Sequence, residues 1–304
     1  MSAEVLIQRH LALMLKEKSL RTTLFWLIGV LLMGALAWGT GQEGKTPLQP
    51  LTVTQVLEQA MERAAQEDQR ELVSKYRFKV LRVRDKLDGQ GELKERDEEL
   101  FENVLIQSFP YQRLIEKNGQ ALTEKERKKE EKRESEFREK IAKREDPTGD
   151  EENGFSLNQD LVGRFDFSLE EVEEVDGRSN YVLAYKPKEG KLPVKRRIDR
   201  ALNKVEGRIW VDQESYEVSQ IEFILKEKVK LWWGLIGSIQ EVKGTVQRRE
   251  VDPGVWFPTG FDLYLKGRIF FRSLHSRQQV RWSEFDRITS FVTEAVESPL
   301  LDSF

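Results

Sequence analysis

The chain of 304 residues contains no cysteine. That excludes disulfides, cysteine-ligated zinc, iron–sulfur clusters and a cysteine nucleophile. An acylated cysteine behind an export signal is excluded too. Histidine is almost as scarce, with only His10 and His275, so a Ser-His-Asp triad or a His-rich metal centre has almost nothing to draw on. No charge of one sign dominates. Fifty Lys+Arg stand against 53 Asp+Glu, a formal net charge of −3, which is no nucleic-acid footprint. Long apolar runs are also lacking apart from one near the N-terminus, which rules out a multi-span transporter. No Walker loop, GxSxG elbow, HExxH or DxDxDG calcium loop occurs. The expectation is a non-enzymatic chain with no cofactor and no metal. Sixteen Phe and seven Trp still supply enough apolar side chain for a folded core.

The one apolar run has the grammar of an export signal. Lys16, Lys18 and Arg21 form a basic region ahead of fifteen uncharged residues, 24–38, and Ala35-Leu36-Ala37 places small residues where signal peptidase needs them. Residues 1–37 therefore read as a signal peptide. The alternative is a membrane anchor, for which fifteen residues fall short of the ~20 needed to cross a bilayer. Either reading puts the bulk of the chain outside the cytoplasm, in the periplasm or cell envelope. Residues 38–51, rich in Gly and Pro, read as a linker.

Beyond the linker the hydrophobic period is first helical, then β. Val53, Val56, Leu57, Ala60, Met61 and Ala64 share one helical face, with Thr52 or Thr54 as the cap. From Tyr76 the pattern alternates. Hairpin turns are marked by Asp88-Gly89-Gln90-Gly91, Asn118-Gly119 and Asp176-Gly177. Nine or ten strands follow in hairpin order, with no helix of 10–15 residues between successive strands, so a parallel doubly wound sheet is excluded. Along 256–271 the odd positions Phe257, Phe261, Leu263, Leu265, Ile269 and Phe271 make one apolar face. A strand that long with one apolar face belongs to a curved antiparallel sheet packed on one side. The predicted class is mainly β (α+β).

One segment breaks the β pattern. In 121–146, nineteen of 26 residues are charged, ten basic and nine acidic. Thr123 and Glu126 form a capping box. Glu124–Lys128, Glu134–Arg138, Glu136–Lys140 and Glu139–Lys143 are i,i+4 pairs in the favourable order. A helix over 123–146 is expected, solvated and set as an insertion between strands, or protruding to touch a partner.

Three features are candidates for a site. The stretch 231–237 (LWWGLIG) offers Trp232, Trp233, Leu235 and Ile236, either as an aromatic lip at a half-wet mouth or as a buried strand with a glycine bulge. Lys195, Arg196 and Arg197 lie in a basic run that would meet anionic headgroups or a partner, or form an exposed turn. The carboxylate clusters Asp97-Glu98-Glu99 and Glu170-Glu171, and His275, read as ordinary surface and turn residues.

The order of these motifs resembles a known family. A capped helix leads into a strand, then Gly89-x-Gly91-x-Leu93, a strand ending in Asn118-Gly119-Gln120, then DGRSNYVLAYKPKEG at 176–190, GRIWVDQESYEVSQIEF at 207–223 and GVWFPTGFDLYL at 254–265. This is similar to the LolA/LolB-type periplasmic lipoprotein carriers and their outer-membrane lipoprotein-sorting relatives. The resemblance implies a half-barrel domain over 52–304, an incomplete antiparallel barrel wrapped around helices, with 121–160 as a helical insertion. It also implies an apolar cavity for lipid or lipoprotein acyl chains. Phe257, Phe261, Leu263 and Leu265 are then candidates for its wall, and Trp232, Trp233, Leu235 and Ile236 for its mouth. The alternative use of the same fold is a regulatory or scaffold protein, with the charged helix 123–146 as its contact surface. Cleavage after Ala37 predicts that N-terminal sequencing of the exported protein starts at Trp38; a membrane-bound product that still contains Leu24 would establish the anchor instead.

Overall fold

The computed structural model describes residues 51–66, 69–143, 159–194, 199–231, 237–270 and 272–288. The helices are α1 (Val53–Ala64), α2 (Gln69–Lys75), α3 (Glu124–Ala142), α4 (Gln159–Val162) and α5 (Asp199–Leu202). The strands are β1 (Tyr76–Leu87), β2 (Leu93–Ile106), β3 (Phe109–Lys117), β4 (Gln120–Ala121), β5 (Phe165–Val175) and β6 (Arg178–Pro187). They continue with β7 (Val205–Asp212), β8 (Val218–Leu225), β9 (Val229–Leu231), β10 (Gly237–Asp252), β11 (Val255–Ile269) and β12 (Arg272–Arg287). All twelve belong to one antiparallel sheet, ordered β4-β3-β2-β1-β12-β11-β10-β8-β7-β6-β5, with β9 beside β10. The sheet does not close; it is an open half-barrel. Two strands more than the upper expected count come from β4 and β9, which are too short to show a period in the sequence. No described helix is long and apolar enough to cross a membrane.

Local chemistry explains the connections. Asn118 and Gly119 both have positive φ (50° and 70°), as do Asp176 and Gly177 (51° and 78°). Two left-handed residues in succession are what a two-residue hairpin needs to match strand twist. At the β7–β8 turn, Asp212 Oδ1 accepts from the Ser215 amide at 2.8 Å and the Glu214 amide at 3.2 Å, while Arg178 Nε donates to Oδ2 at 2.7 Å.

α1 has the predicted cap. Thr52 Oγ1 accepts from the Gln55 amide, and Gln55 Oε1 accepts from the Thr52 amide. Its Val56, Leu57, Ala60 and Ala64 are buried against Phe165, Leu183, Ile209, Val211, Val218 and Ile221. A second cluster joins β1, β2, β11 and β12 around Tyr76, Phe78, Val80, Phe101, Phe257, Phe261, Leu263 and Val280. α2 borders it with Leu72 and Val73. Asn103 holds α2 in place by donating to the carbonyls of Val73 (3.0 Å) and Tyr76 (2.9 Å).

α3 also has its capping box, with Thr123 and Glu126 bonding reciprocally. It ends earlier than expected, at Ala142. Three of the four expected ion pairs form, Glu124–Lys128, Glu134–Arg138 and Glu139–Lys143. The helix is not merely solvated, however. Glu130 is buried and accepts from the Tyr111 hydroxyl (2.9 Å) and the Leu114 amide (3.2 Å). Phe137 packs on the Tyr111 ring at 4.9 Å, and Arg133 lies over the same ring at 4.6 Å. One stripe of a highly charged helix thus docks on β3. Glu130→Ala leaves the buried Tyr111 hydroxyl and the half-buried Leu114 amide without this acceptor and is expected to cost about 1–3 kcal/mol. Lys132→Ala, on the solvated side, should leave the thermal midpoint unchanged; equal midpoints for the two variants would show that α3 contributes no docking energy.

Candidate functional site

The strand register lines up one row of residues across six strands. Phe167 of β5 faces Tyr185 of β6, which faces Gly207 of β7, then Phe223 of β8, Gly244 of β10 and Leu263 of β11. The two glycines fill a steric need. A Cβ on Gly244 would run into the Phe223 ring, and one on Gly207 into the Tyr185 hydroxyl and the Glu222 carbonyl. Both aromatic side chains therefore lie along the sheet over bare backbone. The Tyr185 hydroxyl donates to the Glu222 carbonyl at 3.1 Å. Burial pushes that phenol up, and the nearby Glu206 charge pushes the same way.

This row borders an open trough of about 1200 Å³ that runs from β1 and the tip of the β1–β2 hairpin to β5. That exceeds the ~300–1,000 Å³ usual for a small-molecule pocket. Leu93 and Ile224, two exposed large apolar side chains at 53% and 43%, also line it. Charges alternate with the apolar row: Asp85, Asp166, Lys186, Glu206, Arg208, Glu222, Lys243, Asp262 and Arg277. Many are already answered. Arg208 pairs with Glu170 at 3.0 Å and Lys226 with Glu206 at 2.8 Å. Burial pushes the Asp262 carboxyl up, but hydrogen bonds from Arg281 and Gln279 and the charge of Arg277 outweigh it and hold it below the usual range. Lys243 sits over the Tyr264 ring at 4.6 Å.

At the hairpin end, His275 is buried in β12, in a strand and not the expected turn. One ring nitrogen meets the Tyr264 hydroxyl (2.7 Å) and the other the Asp88 carbonyl (2.5 Å). It pins the hairpin tip to the sheet. Among the described residues no group of three or more His, Asp or Glu could hold a metal ion.

The sequence candidates scatter. Leu263 lines the trough. Phe257, Phe261 and Leu265 do not line it and are buried, as Leu263 also is, with Phe257 enclosed by Tyr76, Phe78 and Phe285 at ring distances of 5.2, 5.6 and 5.0 Å. Trp232, Trp233, Leu235, Ile236, Lys195, Arg196 and Arg197 lie outside the described residues. The ends that flank 195–198 are pinned: buried Arg164 donates to the Pro193 carbonyl and to Asn203 and pairs with Asp199. Sequence reasoning missed Phe167, Tyr185, Phe223 and the two glycines. Glycine within a strand pattern was the available signal.

No family model and no curated protein matches the chain. Among solved structures it is similar to a LolA superfamily protein from Nitrosomonas europaea, at 12% identity over 78% of this chain and 94% of that one, with a TM-score of 0.29. It is similar also to a putative outer membrane lipoprotein-sorting protein domain from Vibrio parahaemolyticus, at 10% identity, 77% and 92% coverage and TM-score 0.30. A DUF1329 family protein from Desulfovibrio piger shows 13% identity, 78% and 93% coverage and TM-score 0.29. Identities and TM-scores of this size carry no argument about a ligand, so the site rests on its own geometry.

Asp85 offers a pH test of the trough wall. Arg96 Nε and Nη2 bind its two oxygens at 2.7 and 2.9 Å, and these hydrogen bonds hold its carboxyl below the usual range. A depressed carboxyl contributes stability above the unfolded value of about 3.9, and that contribution is lost as pH falls through the folded value. Asp85→Asn should cost about 1 kcal/mol at pH 7, allowing for screening of half-exposed Arg96. The difference from wild type should vanish in thermal melts near pH 2; a constant difference at all pH values would refute the assignment.

Proposed function

We propose that the protein is an exported, non-catalytic envelope protein that binds a lipid or acyl chain in the open trough. The observation that carries this reading is the aromatic–glycine row. It sets apolar residues across six strands that border the trough, and exposed Leu93 and Ile224 also line it. Uncovered apolar surface costs about 25 cal/mol per Å², and each CH₂ of a bound chain that covers it contributes about 0.8 kcal/mol.

The candidate segments outside the described residues fit the same reading by their place in the chain. Residues 195–198 lie between β6 and β7, whose Lys186 and Glu206 line the trough. Residues 232–236 join β9 to β10 in the chain, and β10 borders the trough at Lys243, Gly244 and Thr245. Basic residues for a headgroup and indoles for a half-wet mouth are therefore attached to strands that border the trough. The outward face of α3 is where a protein partner of the kind expected from its charge would make contact.

The test is direct. Lipid extracted from mature protein purified without detergent should contain an amphiphile by mass spectrometry, and a brominated fatty acid should quench tryptophan emission. Ile224→Glu alters an exposed side chain and should leave the melt unchanged while weakening binding about tenfold, the loss of roughly 1.4 kcal/mol. Unchanged emission throughout the titration, with no lipid recovered, would refute the reading.

A further inference from the structure

β5 is the outermost strand on its side of the sheet. It pairs with β6 on its inner edge. Among the described residues, no backbone hydrogen bond reaches its outer edge. Residues 168–174 are all exposed. An eleven-residue strand is long for a free edge, and the usual protections of lysine or proline are absent from it.

The register shows what this edge presents. A bulge between Leu169 and Val172 inserts an extra residue. Leu169 thereby faces Leu183, and Val172 faces Tyr181. Leu183 and Tyr181 both belong to the cluster under α1, so the bulge returns Val172 to the apolar face. Leu169 and Val172 extend that face past its cover, at 37% and 55% exposure. The same stretch carries Glu170, Glu171, Glu173 and Glu174. Glu170 pairs with Arg208, and Glu173 accepts from Trp210 Nε1 at 2.9 Å. Among the described residues, no cation lies within ion-pair distance of Glu171 or Glu174.

We propose that β5 accepts an extended segment of a partner polypeptide, apolar at alternate positions and basic between them, as the next strand of the sheet. Main-chain hydrogen bonds supply the affinity, and alternate side chains the specificity. Lysine or arginine of the partner meets Glu171, and its apolar side chains cover Leu169 and Val172; Glu174, opposite Ser179 and so on the Val172 face, marks the end of that apolar stretch. A second copy of this chain does not fit. Two β5 strands side by side would set carboxylate against carboxylate, which destabilises a cross-strand pair. The acidic edge thus blocks self-association and selects a basic strand. The surface starts where the trough lining ends, at Ser168, and the inference stands independently of lipid binding.

The probe is a fluorescent peptide of about ten residues, the length of a long strand, alternating lysine and valine. Anisotropy at low salt with the full mature chain should show saturable binding. The same peptide with every second amide N-methylated keeps its charge and side chains but cannot pair along a strand, and should not bind. Glu171→Lys changes one exposed side chain. It should leave the melt unchanged and weaken binding about fivefold by turning an attractive pair repulsive. Equal binding of the N-methylated peptide, or undiminished binding to the charge-reversed protein, would overturn the proposal. So would absence of binding, or wild-type dimers that the charge reversal abolishes.

Discussion

The Glu217 side chain is 1% exposed, and its carboxylate is shared by two arginines from different parts of the fold. Arg248 of β10 reaches it at 2.5 Å, and Arg63, in the last turn of α1, at 2.7 Å. Arg248 also donates to the Trp256 carbonyl, and Arg63 to that of Gly254. A carboxylate taken out of water and left without a partner costs several kcal/mol, whereas the intact pair adds little net stability. Its effect is therefore placement. With Arg63 held at Glu217, α1 has one seat on the sheet, and Val56, Leu57, Ala60 and Ala64 come down on the cluster formed by β5 to β8. The apolar cover of that half of the sheet depends on this contact.

The other half is covered differently. Phe257 packs among rings from β1 and β12 in a cluster bordered by α2, so this candidate for a cavity wall is core. Phe223 and Val246 border both clusters and join them. The aromatic–glycine row sits at the limit of this cover. Tyr185 and Leu263 are buried, while Phe167, Gly207, Phe223 and Gly244 are half-buried. The trough has that origin: a twelve-stranded open sheet has more apolar face than the described helices conceal.

Much of the architecture was legible because it is written in neighbouring residues. Thr52 and Thr123 as caps, Asn118-Gly119 and Asp176-Gly177 as turns, and the alternation in β11 all depend on residues a few positions apart. α2 escaped notice because its seven residues span only two turns. The docking of α3 was hidden for another reason. Glu130 is one acid among many in 121–146, and nothing local marks it as the one that meets the Tyr111 hydroxyl.

The sequence by itself determined a curved antiparallel β architecture with a capped amphipathic helix and a charged helix, since hydrophobic period and turn chemistry act over short range. Only the tertiary structure decided which residues form the trough, which strand is left as an edge, and which carboxylate seats α1. Each of those outcomes depends on register between distant strands; Arg63 and Glu217 are 154 positions apart. A strand's face is written in its own alternation, but its neighbour is chosen by the collective fit of the whole sheet, and no local pattern encodes that choice.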